Sequence, residues 1–359
     1  MGDILHALPA VTALRRAHPF WHIGWVVDPR WQALLSAGSE GASHPIGQKP
    51  PAGDPGSEQG SGEPHGSAMP LVDRLHFAPS RVWKRHPLSA RTLSQIKTLR
   101  RELREARYDA VLDLQGAIRS AVLARITGCP RRIGEAMPRE WPAHWLFTER
   151  IATRGAHVIE QDVELASAVA GDPLAIVEPL LPVDPEAESW CATWLAEHAS
   201  AARPLAFIAP GAGWGAKRWP PERYAAVAQG LKQRGFKVLV NAPPGEDSLA
   251  RPIAAAGATP FTATLPQLIA LSRRIALCVG GDTGPLHLAS ALSRPVVGIY
   301  GPTDPSRNGP FGARARVLRS PESRRDYSHR DTPDPGLLTI APEDVLKAAD
   351  ELLAEEKIV

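Results

Sequence analysis

Apolar and polar positions along this chain fall into two rhythms. Short continuous apolar runs at 23–27, 205–209, 237–241, 275–279 and 296–300, with 108–114 beside them, have the length and bounding residues of buried strands. Between them, apolar residues recur every three or four positions at 117–127, 157–170, 222–234, 246–256, 265–273 and 342–353, the period of helices packed on one face. A short helix is expected at 31–35. The chain opens on a turn entering a helix that runs through Val11 and Leu14, with no strand before it. Strands alternating with helices predict an α/β protein whose parallel sheets are covered on both faces. Ligands of such sheets bind beyond the carboxyl ends of the strands, where the 210–221 loop and the 280–284 turn fall.

Two stretches break the rhythm. Residues 36–70 are dense in Gly, Pro, Ser and Glu with almost no large apolar side chain, so they are expected to be a disordered insertion. Residues 171–185 carry Pro173, Pro179, Pro182 and Pro185 and read as an interdomain linker. From 81 to 107, Leu93, Ile96, Leu99 and Leu103 recur at helical spacing under a basic face, either a solvated surface or one that meets phosphorylated lipid. The region after Arg314 is expected to be irregular up to the last helix.

At 359 residues the chain has room for two domains. A net charge of +3 is too small to imply nucleic acid and suits an anionic substrate or membrane surface. Three scattered cysteines, Cys129, Cys191 and Cys278, form neither a metal spacing nor a disulfide framework. No signal peptide or membrane-spanning run is evident, and a cytosolic protein is expected.

The densest chemistry lies at 278–289, Cys-Val-Gly-Gly-Asp-Thr-Gly-Pro-Leu-His-Leu-Ala. It reads as strand, glycine turn and helix, with Asp282 or Thr283 as cap and Pro285 in the first turn. Such a start either is an ordinary structural cap or binds an anion such as phosphate, with His287 one turn inside to touch it.

This motif, with Tyr300-Gly301-Pro302-Thr303-Asp304-Pro305 after the next strand, resembles the donor-site signature of bacterial ADP-heptose:lipopolysaccharide heptosyltransferases, glycosyltransferase family nine. Met1 to Pro9 is similar to their N-terminal catalytic motif. Asp113-Leu114-Gln115-Gly116 with Arg119-Ser120 is similar to their acceptor motif. Pro210-Gly211-Ala212 with Lys217-Arg218-Trp219-Pro220 is similar to their diphosphate loop. The resemblance implies a GT-B fold of two Rossmann-like domains facing a cleft. Residues 1–172 would bind the acceptor and 186–341 the donor, with 173–185 as linker and 342–359 as a helix crossing back to the first domain. It implies an inverting transfer of heptose from ADP-L-glycero-D-manno-heptose to Kdo-lipid A, or to a heptose already on it, by an enzyme peripheral to the cytosolic face of the inner membrane.

Within that resemblance each residue has a role and an everyday alternative. Asp3 would be the general base, or a helix cap. Lys217 would meet the departing diphosphate as a point charge, or be a solvated lysine. Thr283, Gly284 and His287 would supply fixed dipoles to the same group, and Asp282 an acid near the donor sugar. Glu246 would hold the ribose, or sit near a helix start. His6, Gln115, Gly116, Arg119 and Ser120 would face the acceptor. Ala212 and Gly213 stand where several members carry hydroxyls, so phosphate contacts there would come from backbone N–H groups. No Asp-x-Asp element occurs, so no metal and no cofactor is expected. The family begins with a strand before its Gly-Asp turn. None precedes Met1, so the first sheet is expected to lack its central strand, with an upstream start as the preferred explanation. The competing readings are an inactive nucleotide-sugar-binding paralogue and a family-nine transferase with another acceptor.

Overall fold

A computed structural model describes residues 1–37, 70–199, 203–326 and 330–356, and nearly all of the expected 36–70 insertion lies outside them. The first half comprises α1 (Gly2–Ala17), β1 (Gly24–Val27), β2 (Arg74–Phe77), α2 (Ser80–Arg85), α3 (Ala90–Glu105), β3 (Val111–Leu112), α4 (Ile118–Ile126), β4 (Arg132–Glu135), β5 (Glu149–Ile151) and α5 (Val158–Ala170). The second comprises α6 (Pro185–His198), β6 (Leu205–Ala209), α7 (Pro221–Gln233), β7 (Lys237–Asn241), α8 (Asp247–Ala255), β8 (Thr259–Phe261), α9 (Leu265–Ser272), β9 (Leu277–Gly281), α10 (Gly284–Ala291), β10 (Val296–Tyr300), α11 (Pro305–Asn308), β11 (Ala315–Arg319) and α12 (Pro342–Glu356).

The second half is a parallel sheet in the order β11-β10-β9-β6-β7-β8. Its β6, β9 and β10 are buried at every position, so they read as unbroken apolar runs. The chain begins this sheet in the middle, at β6, and its direction of growth reverses between β6 and β9. Ligands bind at that reversal, above the strand ends.

The first half has the same winding with one difference. Here β1 pairs with β2, and β3, β4 and β5 form a separate sheet. Among the described residues no strand stands where β6 stands in the other half. That place is a cavity of about 1570 Å³, walled by Trp25, Val26 and Val27 on one side, Val111 and Leu112 on the other, and roofed by Val11 and Leu14 of α1. The sheet expected to lack its centre is thus split, and α1 spans the two pieces. Ala10 and Leu14 of α1 pack on Val163 and Ala166 of α5. Its Leu5 and Leu8 join Leu288 and Ile269 of the second half in one apolar cluster.

Several elements differ from the sequence-based expectation. The 108–114 strand shortens to β3, because Asp113 turns inward to organise the following loop. β2, β4, β5, β8 and β11 are additional: β8 is three residues with Pro260 at its centre, and the others carry Arg or Glu, which masks an apolar run. The amphipathic part of 81–107 is α3, separated from α2 around Pro87, and Ser89 caps α3 through the Thr92 N–H at 3.1 Å. α6 starts at the end of the proline-rich linker, where Pro185 suits the first turn and Asp184 accepts from the Ala187 N–H at 2.9 Å. Among the described residues the final helix packs in its own half rather than crossing back. The apolar stripe Val345, Ala348, Ala349 and Leu352 on α12 is buried with Val227 and Leu231 of α7, in its own half.

Candidate active site

The loop after β6 carries the cation. Lys217 ends a single 3-10 turn, Gly215–Lys217, which a second segment clamps: the Ala216 N–H donates to Arg330 O at 2.8 Å and the Asp334 N–H to Ala216 O at 3.1 Å. A Cβ on Gly215 would lie 1.9 Å from the Asp331 carbonyl oxygen, so only glycine fits there. The Lys217 ammonium pairs with Asp282 and sits 3.8 Å from the centre of the Trp214 ring. Lysine and aspartate are both nearly buried.

The turn after β9 supplies the carboxylate. Glycine at 280 lets β9 lie against β6, since a Cβ would be 2.9 Å from Ala209 O. Asp282 leaves the strand end, and His287 Nε2 donates to its Oδ1 at 3.1 Å. Burial raises the Asp282 pKa, but the His287 hydrogen bond and the Lys217 charge outweigh it and hold the carboxyl well below the usual range. Thr283 is the N-cap of α10, yet its buried hydroxyl makes no hydrogen bond. The expected side-chain cap is therefore not formed, and the first N–H groups of α10 keep their partial positive charge.

Glu246 follows β7 and leans on the β6 loop: a Cβ on Gly211 would be 2.7 Å from its Oε2. It occupies the N-cap position of α8 without a side-chain cap bond, so helix capping does not explain it. Gly213 is open, with nothing within 4 Å of where a Cβ would be. Ala212 lies beside it on the same loop.

Across from these, Asp3 is exposed in the first turn of α1. Met1, not Asp3, holds the N-cap position, so the capping alternative fails. Gln115 Nε2 donates to Asp3 Oδ2 at 3.0 Å. Asp113 fixes the Gln115 turn, accepting from the Gln115 N–H at 2.8 Å, the Gly116 N–H at 2.9 Å and the Ser120 hydroxyl at 3.0 Å. Burial pushes the Asp113 carboxyl up against these three bonds. Gly116 takes φ +61°, a left-handed conformation that favours glycine. Gly116 and Ser120 thus shape the turn, while Asp3, Gln115 and exposed Arg119 line the large cavity. Lys217, Glu246 and Asp282 lie outside it, on the second half.

His6 is the clearest departure. It is buried, edge-on to His157 at 5.6 Å and to His287 at 4.8 Å, and forms part of the contact between the halves rather than an acceptor surface. The same contact brings the two sides of the site together. A Cβ on Gly284 would meet Met1 Sδ at 2.6 Å, and one on Gly2 would lie 3.8 Å from His287 Cδ2. The turn bearing Asp3 therefore abuts the N-terminus of α10.

Sequence reasoning missed Trp214 and His157 as working parts of this assembly, and quoted Asp113 within a motif without giving it a role. His157 had a signal: His-x-x-Glu at a helix start resembles a capping box, with Glu160 accepting from the His157 N–H at 2.8 Å. Among the described residues no three His, Cys, Asp or Glu side chains are grouped to hold a metal ion. What is assembled is a cation and a helix N-terminus suited to a departing anion, with an accessible carboxylate beside them suited to taking a proton.

Known proteins share this arrangement of sequence. The profile described as Glycosyltransferase family 9 (heptosyltransferase) matches residues 96–335. Lipopolysaccharide heptosyltransferase 2 of Escherichia coli K12 is 28% identical, over 80% of this chain and 88% of its own length. Lipopolysaccharide heptosyltransferase 1 of the same strain is 27% identical, over 89% and 91%. In three dimensions, E. coli heptosyltransferase WaaC with ADP superposes with a TM-score of 0.72 at 22% identity, covering 98% of this chain and 97% of that one. The Rossmann-like halves, the cleft between them and the family profile agree, and the chain belongs to glycosyltransferase family 9, with the GT-B fold.

Proposed function

We propose that this enzyme transfers heptose from an ADP-heptose donor to the Kdo-heptose inner core of lipopolysaccharide. The observation that carries the proposal is the juxtaposition of Lys217, Asp282 and the N-terminus of α10 with the Asp3 turn. Asp3 takes the proton of the acceptor hydroxyl as it attacks the anomeric carbon from the face opposite the diphosphate, which inverts that centre. Lys217 and the α10 N–H groups receive the charge that develops on the departing ADP, without a divalent cation. Glu246 accepts from the ribose hydroxyls. Ala212 and Gly213 offer backbone N–H groups to the phosphates. Asp282 holds Lys217 and His287 in place until the diphosphate arrives and competes for them. Residues 1–172 serve the acceptor and 186–341 the donor, while Gln115 and Arg119 orient the acceptor sugar.

The acceptor is anchored in lipid, so the enzyme works peripherally at the cytosolic membrane face. No helix among the described residues is long and apolar enough to cross a membrane. The basic surface of α2 and α3 supports the reading, since Arg81, Lys84, Arg91 and Lys97 are exposed there beside exposed Leu88 and Leu93.

The test is ADP release from ADP-heptose, with Kdo-lipid A and a heptosylated core offered in parallel. Release is expected with one of the two acceptors and not with water alone. An enzyme that binds ADP-heptose yet releases ADP with neither acceptor would overturn the assignment.

A further inference from the structure

We propose that His157 is a positioning residue of the transfer reaction: a neutral imidazole that pins the acceptor half to the donor half and so sets the spacing of Asp3 from the donor site. The inference rests on the function proposed above but stands on geometry of its own. His157 is buried at the start of α5. Its Nδ1 accepts from the Ile159 N–H at 3.2 Å, capping its own helix. Its Nε2 donates at 3.0 Å to the carbonyl of Gly309, in the donor half. A carbonyl only accepts and an N–H only donates, so both contacts hold together in a single state of the ring, neutral with its proton on Nε2. One imidazole therefore caps an acceptor-half helix and ties it to a donor-half loop.

The ring also continues a chain of contacts. Phe311 of the donor half lies 4.8 Å from it, and His6 of α1 meets it edge-on. His6 in turn meets His287, which holds Asp282 and, through it, Lys217. The titratable groups facing His157 are His6 from α1, His287 from α10, and Glu160 on its own helix. Glu160 already accepts the His157 backbone N–H. A second proton, on Nδ1, would point at the Ile159 N–H and place a charge beside two other imidazoles. Burial already lowers the His157 pKa from its ordinary 6.5, with the Gly309 bond opposing. In acid the second proton leaves the Nε2–H bond to Gly309 in place but breaks the cap and sets a charge against His6 and His287. The junction should therefore hold at neutral pH and be strained in acid.

His157→Asn separates pinning from capping. Asparagine caps helices well, but it is too short to reach Gly309 and carries no ring. ADP affinity is expected to stay within about twofold, because the donor contacts are intact, while kcat falls about tenfold or more through lost alignment. The acid limb of the wild-type rate profile, below pH about 6.5, should flatten in this variant. His157→Gln, whose amide can span the gap, should recover part of kcat. A His157→Asn enzyme with wild-type kcat and an unchanged acid limb would leave His157 as a helix cap only. Equal losses in both variants that track a fall in melting temperature would also overturn the proposal. Nitrogen-15 histidine NMR on the wild-type chain reads the pin without turnover, so it still decides if the assigned reaction fails. The Nε2–H tautomer with a titration midpoint below the ordinary 6.5 is expected, and a midpoint at or above it refutes the proposal.

Discussion

At the scale of single residues, Asp3 is the most exposed to test. Its carboxylate accepts from Gln115, and it holds no cap. Asp3→Asn preserves an oxygen for Gln115 and removes the basicity. Turnover should fall by about 10²–10⁴, the usual worth of a general base. ADP binding, measured by calorimetry, should be unchanged because the donor contacts proposed here lie in the other half. An Asn variant with near wild-type turnover would move the search for a base elsewhere. The residue-level chemistry was partly legible in the sequence. Lys217, Asp282 and His287 lie within contiguous motifs, and local motifs survive folding intact. His6 lies within a motif too, yet its neighbours His157 and His287 come from helices far along the chain, and no local pattern announces a ring buried between them.

At the scale of elements, the loop after β6 shows how position overrides residue type. Gly213 and Gly215 are two residues apart. The first faces open space, and the second faces the Asp331 backbone. Gly213→Ala is expected to be neutral in melting temperature and ADP affinity. Gly215→Ala must push Asp331 away and loosen the clamp on Lys217, at a cost of about 1–3 kcal/mol, with a weaker ADP affinity to match. Equal behaviour of the two variants would show that the clamp does not matter. The strands of the second half were legible because burial on both faces demands unbroken apolar runs. β4 and β5 were not, since strands that keep Arg132, Glu135 and Arg150 beside their apolar residues carry no such run.

At the scale of the molecule, the alternation of strands and helices predicted parallel sheets covered by helices, and the motif resemblance predicted the GT-B pairing of two such halves. The path of α12 was not predictable, since an amphipathic helix states that it needs a partner and not which one. The split first sheet has a further consequence. Val111 and Asp113 donate to Arg131 and Ile133 carbonyls at 2.9 Å, so alternation turns the Leu112 amide toward the cavity. Ala78 donates to Val27 and Asp73 to Ile23, which likewise turns Val26 away from β2. In the second half, backbone bonding runs without a break from β11 to β8. In the first, the two pieces share no ladder and are joined by packing, through Val11 and Leu14 of α1 and through Leu99 and Leu103 of α3, and by a hydrogen bond between His76 and Tyr108 at 2.8 Å. The first half should therefore open locally, and far below the free energy of global unfolding. Hydrogen exchange at Leu112 and Val26 is expected to run about a hundredfold or more faster than at Phe207 and Val279. Equal protection at all four would mean that this packing makes the first half as cooperative as the second. Otherwise the first half, over its described residues, is the softer of the two and opens before the second.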